Sequence, residues 1–251
     1  MEEKHATFLN AILNLLPESA RDHISAPMLT SWMVIVIIMA LVYLGTRQMQ
    51  LRPTSKLQIL LEMAYESFSS FCGNVMGPGG ERYIPFLGTL FIYILLMNYL
   101  GVIPGFISAT TSLNITAALG LSTFALTQIA GFRAHGLKYL MHFVGEPIWL
   151  APLNIPIHII GELARPLSLS IRLFGNIFGE DMVIAKLIAM AALALPWWLP
   201  IPFQFPMLLF ALFTGFVQAL VFLILASSYI GGAIEKHEQH EAAEGHAAQA
   251  A

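Results

Sequence analysis

Charge-free stretches about twenty residues long recur along this chain, and they restrict its folding more than any other feature. They fall at 28–46, 83–103, 113–132 and 207–230, with a longer apolar region at 148–195. Such a run suits a helix crossing a hydrocarbon layer about 30 Å thick, where each backbone polar group must be satisfied inside its own segment. Composition agrees, with 57% hydrophobic and 11% charged residues, against about 25% charged in soluble domains. The expected fold is an all-α integral membrane protein, one membrane domain of about five transmembrane helices. The formal net charge of −3 gives no sign of a nucleic-acid partner. A single cysteine, Cys72, excludes an internal disulfide. No basic stretch runs into an apolar one near Met1, so no cleavable signal peptide is expected.

Taken in order, residues 1–27 form a polar outer segment, in which 6–16 is apolar but too short to span. The first span, 28–46, is closed by Arg47 and Arg52. Segment 54–75 places Leu57, Leu60, Leu61, Ala64, Phe68 and Phe71 at helical spacing, with Lys56, Glu62 and Glu66 between them. It reads as an amphipathic helix on the membrane surface or as an ordinary helix packed on its neighbours. Gly77-Pro78-Gly79-Gly80 breaks the chain. The second span carries Asn98 and ends at Pro104-Gly105. The third carries Asn114, Thr116, Ser122, Thr127 and Gln128 and is closed by Arg133, His135 and Lys138. A short amphipathic link is expected at 137–144. Region 148–195 is too long for one perpendicular helix, so it begins on the surface or lies steeply tilted. Pro166 inside it is expected to kink the helix or free a carbonyl. Trp197 and Trp198, in a proline-rich loop, suit a membrane–water interface. The tail, 231–251, is polar, and its His237, His240 and His246 read as solvated rather than metal-binding. Basic residues follow the first and third spans and are missing from the loops after the second and fourth. That asymmetry places the N-terminus outside and the C-terminus in the cytoplasm.

Arg172 lies deep in the longest apolar region. Its guanidinium cannot shed its proton, and a charge in the bilayer costs between about 2.5 and 17 kcal/mol. Glu162 precedes it by ten residues, roughly 15 Å along a helix, and Glu180 and Asp181 follow by roughly 12 to 13.5 Å. Arg165, Arg172 and Asn176 share one helical face, and Asp181 points nearly opposite Arg172. Acids thus approach the membrane from both sides with a permanent cation between them. Two aqueous half-paths that do not meet would follow, with carboxylates taking up and releasing protons. The fixed charge would block leakage and attract a carboxylate on a moving neighbour. Gly161, Ser168, Ser170, Gly175 and Gly179 would let another helix come close. The plainer reading is a structural ion pair for Arg172, or hydrogen bonds to carbonyls freed by Pro166. Lys186 is expected to snorkel or to pair with Asp181, and Gln218 to face Arg172 if the last two helices form a hairpin.

These residues carry a resemblance. Arg165-Pro-Leu-Ser-Leu-Ser-Ile-Arg172-Leu-Phe-Gly-Asn176, with an acid nine positions after Arg172, resembles the signature of subunit a of rotary F-type ATP synthases. Met97-Asn98-Tyr-Leu-Gly-Val-Ile-Pro104-Gly, Leu113-Asn114-Ile-Thr and Gln218-Ala-Leu-Val-Phe are similar to the family too, and in the same order. The likeness covers about 51–230. It implies a proton-translocating membrane stator whose two long tilted helices, 155–194 and 207–230, form a hairpin against a c-subunit ring. Arg172 matches the arginine facing the ring carboxylates, and Asp181 matches the acid of the outer half-channel. Asn176, Gln218 and Asn98 match polar lining, and Glu162 an acid that some members carry on the cytoplasmic side. Ala211 stands where some bacterial members carry a histidine, with Glu180 a candidate replacement, and Gly101 where others carry an acid. The implied partners are the c-ring, peripheral-stalk b subunits, the remaining synthase subunits and the lipid bilayer, in a bacterial inner membrane, with no cofactor or metal.

One charge crossing 100 mV yields about 2.3 kcal/mol, so several protons must be gathered for each ATP. The chain has no phosphate-binding Gly-x-x-x-x-Gly-Lys-Ser/Thr loop, which puts ATP chemistry on other subunits. A proton-coupled secondary transporter would carry an internal repeat, and none is evident. An intramembrane zinc protease would need His-Glu-x-x-His, whereas His158 and Glu162 give His-x-x-x-Glu.

Overall fold

The computed structural model describes residues 25–47, 55–103, 106, 108–136, 139, 151–194 and 205–235. Expectations for 1–24, the 137–144 link apart from Tyr139, the Trp197–Trp198 loop and the histidine tail lie outside them. Among the described residues there are six α-helices and no strand: α1 (Ala26–Thr46), α2 (Lys56–Met76), α3 (Ile84–Val102), α4 (Leu113–His135), α5 (Ala151–Ala194) and α6 (Phe205–Glu235). Short 3₁₀ turns, Gly80–Tyr83 and Ala109–Thr111, precede α3 and α4.

Local chemistry sets these boundaries. Pro27 opens the first turn of α1, where its missing N–H costs nothing. α2 ends where Gly77 (φ 77°) and Gly79 (φ 86°) take up left-handed conformations that side chains resist. Helix α5 runs unbroken for 44 residues through Pro156 and Pro166, a length of about 66 Å. Pro166 therefore does not end the helix. Its ring removes the N–H that the Glu162 carbonyl would otherwise bond.

Four helical stretches, Pro27–Thr46, Gly80–Val102, Leu113–His135 and Phe205–Ile234, are long and apolar enough to cross a membrane. α5 is more than long enough, but it carries Glu162, Arg165, Arg172, Glu180, Asp181 and Lys186. Most of the predicted apolar face of α2, including Leu57, Leu60, Leu61 and Phe71, stays exposed. The helix buries Gln58, Cys72 and Met76 instead.

The chain divides into two compact units. The first joins α1 to the regions 89–116 and 170–222. At its centre Val34, Met97 and Ala109 are fully buried, with Ile38, Tyr93, Leu96, Leu100 and Ile115 around them. Ser31 and Tyr93 share a hydrogen bond of 2.5 Å, and Phe91 meets Phe216 edge-on at 6.2 Å. The second unit joins α2 to the regions 117–169 and 223–251. Here Gly231 of α6 lies against the main chain of Met76, where a Cβ would come within 2.8 Å of the carbonyl oxygen. His135 closes α4 with a hydrogen bond between Nε2 and the Ala233 carbonyl, 3.1 Å.

Candidate functional site

In the first unit, α5 and α6 run antiparallel and exchange polar contacts one turn apart. Asn176 donates from Nδ2 to Gln218 Oε1 at 2.7 Å. One turn further along α5, Glu180 Oε2 accepts the Thr214 hydroxyl at 2.7 Å. Four residues forward on α5 match four back on α6, so both pairs lie on one seam. Gln218 is 5% exposed, buried enough that its carbonyl needs this partner. The hairpin expectation for these helices holds within this unit, but Gln218 meets Asn176 rather than Arg172. Asp181 is half-buried, and among the described residues it makes no hydrogen bond or ion pair. Lys186 is exposed and, among the described residues, does not pair with Asp181.

Asn98 is bracketed in the same unit. Its Nδ2 donates to the Gly215 carbonyl at 3.1 Å, and its Oδ1 accepts from Thr110 at 3.0 Å. Thr110 in turn bonds Ser108 at 2.7 Å. Gly215 permits this approach, since a Cβ there would sit 3.1 Å from that of Asn98. Ser108 fills the space beside Gly101, where any side chain would overlap it. An acid at position 101 is therefore excluded by the packing of this loop. The buried hydroxyls of Ser108 and Thr110 provide polar groups there instead. At the other departure, Ala211 is 2% exposed and its carbonyl lies 3.1 Å from Thr214 Oγ1, the group that binds Glu180. A carboxylate and a hydroxyl thus occupy the neighbourhood of the missing histidine.

Arg172 is exposed on α5 and, among the described residues, makes no hydrogen bond or ion pair. Neither structural role expected for it, an ion pair or a bond to a freed carbonyl, is present among those residues. Gly161, Ser168, Gly175, Asn176 and Gly179 are exposed with it, and a Cβ on any of the three glycines would meet open space. Ser170, expected with them, is instead buried at 4% exposure.

The second unit holds Glu162. Arg165 donates from Nη1 to Glu162 Oε1 at 2.9 Å, an i,i+3 pair with side-chain exposures of 34% and 12%. Gln128 donates from Nε2 to Glu162 Oε2 at 3.2 Å. The Arg165 guanidinium also lies over the Tyr229 ring, 5.3 Å from its centre, a cation–π contact. A small pocket adjoins the carboxylate, lined by Thr123, Thr127, Glu162, Arg165, Pro166 and Tyr229 among others. Both threonine hydroxyls donate back to their own helix, to Leu119 and Thr123 carbonyls, which leaves their lone pairs for a guest such as water. Of these groups, sequence reasoning had singled out Glu162 as a proton carrier. It missed Gln128, Tyr229, Thr214 and Thr110 as partners, because isolated polar residues in apolar runs give no sign of whom they face.

Fold and site together define an all-α membrane protein whose one long amphipathic helix carries three carboxylates, an arginine paired with the first of them, and a second arginine with no partner among the described residues. The family described as the ATP synthase A chain matches residues 28–231. The chain is 41% identical over 206 residues to ATP synthase subunit a 1 of Syntrophotalea carbinolica, covering 82% of this chain and 84% of that one. It is 38% identical over 238 residues to ATP synthase subunit a of Syntrophobacter fumaroxidans, covering 91% and 96%. With the corresponding protein of Protochlamydia amoebophila it shares 44% identity over 207 residues, covering 79% and 76%. The chain belongs to the ATP synthase A chain family.

Proposed function

We propose that this chain is the proton-translocating stator subunit of a bacterial F-type ATP synthase. It has no catalytic site of its own and works in the inner membrane with its N-terminus outside and its C-terminus in the cytoplasm. α5 is the obliquely tilted fourth of five spans in chain order, and with α6, the fifth, it faces a ring of c subunits. Peripheral-stalk b subunits hold the chain still while the ring turns. Protons enter through an outer half-channel lined by Asn98, Asn176, Glu180, Asp181 and Gln218 and are handed to a ring carboxylate. After nearly a full turn they leave past Glu162 to the cytoplasm.

Arg172 stands between the two half-channels. As a permanent cation it attracts the ring carboxylate in its charged form and lets no proton pass directly from one side to the other. The observation that carries this reading is that Arg172 is exposed on the 44-residue helix α5 and, among the described residues, finds no partner. A charge so placed is open to a counter-charge supplied by a neighbouring subunit. The open glycines beside it give a ring helix room to deliver one.

ATP-driven proton pumping, beside passive proton conduction, in vesicles carrying the complex with Arg172→Ala tests the proposal. The expected result is an assembled complex in which pumping stops. Pumping near the normal rate would make Arg172 a structural residue and end this mechanism.

A further inference from the structure

We propose that Tyr139 is a positioning residue for the Glu162 carboxylate, acting through Gln128, and that Gly131 is the seat that lets it act. The inference rests on the reading of Glu162 as a proton-carrying acid.

The geometry starts at the end of α4. Gly136 takes a left-handed φ of 58°, which turns the chain back, and the Tyr139 N–H bonds the Gly136 carbonyl at 3.3 Å. The Tyr139 side chain is thereby returned onto α4 at 6% exposure, its ring centre 5.1 Å from that of Phe132. It lies directly on Gly131, where a Cβ would overlap its Cε2 and Cζ atoms. From that seat its hydroxyl donates to Gln128 Oε1 at 3.0 Å. Gln128 Nε2 then donates to Glu162 Oε2.

A glutamine amide has an acceptor end and a donor end. A phenol that donates to Oε1 fixes which way it points. Reversed, the amide would set its own oxygen against the carboxylate, and Glu162 would keep only Arg165 as a donor. Burial pushes the Tyr139 phenol up from its usual range and the Glu162 charge adds to this, against the pull of Arg165 and the Gln128 hydrogen bond. At neutral pH the phenol therefore keeps its proton and remains a donor. Other groups near Glu162 among the described residues include Arg165 and, one turn back, His158 on its own helix, Thr123 and Thr127 on α4, and Tyr229 on α6. Arg165 donates to one oxygen of the carboxylate, and the Tyr139–Gln128 pair orients the second.

The test is ATP-driven proton pumping by the intact complex in inverted membrane vesicles. Tyr139→Phe keeps the ring and its packing and removes only the hydroxyl. It is expected to slow pumping about fivefold, the effect of losing one buried hydrogen bond, at unchanged subunit content. Gln128→Leu is expected to slow it by a similar factor, and adding Tyr139→Phe to Gln128→Leu should cost nothing further. A residue serving only to pack would leave Tyr139→Phe at the normal rate, and an unrelated defect would multiply with Gln128→Leu; either result overturns the proposal. Gly131→Ala, which unseats the ring, should reproduce the loss and also add nothing to Gln128→Leu. If Tyr139→Phe fails to assemble, the Gly131→Ala cycle decides by the same criterion. Glu162→Gln separates the two ideas. Normal pumping in that variant removes the reading of Glu162 and this inference with it. Slow pumping there, beside normal pumping in Tyr139→Phe, removes this inference alone.

Discussion

The acids at the two ends of the functional stretch of α5 are held in opposite ways. Glu162 has a donor on each oxygen, Arg165 at 2.9 Å and Gln128 at 3.2 Å. Among the described residues Glu180 has one donor, Thr214, and that hydroxyl also lies 3.0 Å from the Phe210 carbonyl and 3.1 Å from that of Ala211. A hydroxyl has a single proton to give, so the Glu180 contact competes with bonds back into α6. Asp181, next to it, makes no hydrogen bond among the described residues. One end is an acid braced on both oxygens beside a small pocket, and the other is a pair of acids more loosely held. Under the proposed function the difference suits two tasks. A proton leaving the ring needs an acceptor in a set position. A proton arriving from bulk water benefits from carboxylates that can reach for it and pass it on.

Removing both mobile acids should break the comparison most severely. Asp181→Asn with Glu180→Gln is expected to lower proton-driven ATP synthesis about a hundredfold, within the range that positioned acid–base groups contribute. Asp181→Asn alone should cost only about tenfold, because the adjacent Glu180 still carries protons. Synthesis rates in vesicles energised by an imposed gradient measure both. If the single variant loses as much as the double, the pair is not interchangeable and the idea of a mobile acid pair fails.

At the fixed end, among the described residues, no second acid adjoins Glu162 to take over. Glu162→Gln is expected to slow ATP-driven pumping at least tenfold, more per residue than Asp181→Asn if the two ends differ as described. Arg165→Met should cost less, about fivefold, since Gln128 still holds one oxygen. It leaves the Tyr229 ring without its cation, but the pair is about a third exposed on the Arg165 side, so little stability depends on it. Pumping rates of the two variants, normalised to assembled complex, rank the brace against the acid it holds.

Much of this was legible in the sequence. The apolar runs marked α1, α3, α4 and α6 to within a few residues, because a membrane-crossing helix must be continuous and apolar whatever its neighbours. The Arg172–Asn176 motif marked the family. α5 was harder to delimit, since region 148–195 is too long for one perpendicular span and its charges break the apolar run. The partners of the acids were hidden for a different reason. Gln128 and Glu162 are 34 positions apart, and Thr214 and Glu180 are too. Only the packing of α4 or α6 against α5 says that they meet. Gly101 had looked like a loss, the place of an absent acid. It is a seat for Ser108, which a side chain at that position would displace.

The smallest effect is the most informative about the mobile end. Thr214→Val keeps the branched shape and removes the one side-chain hydroxyl that, among the described residues, reaches Glu180. Were this bond held as firmly as that of Gln128 to Glu162, its loss would cost about fivefold. Because the proton is shared with two carbonyls of its own helix, the expected loss in ATP synthesis is less than about twofold. The carbonyls of Phe210 and Ala211 are already engaged in α6, so they tolerate losing the hydroxyl. A rate within a factor of about two of normal, at full assembly, would confirm that Glu180 is loosely held. A fivefold or larger loss would mean that Thr214 gives its proton wholly to Glu180, and the two ends of α5 would then hold their acids alike.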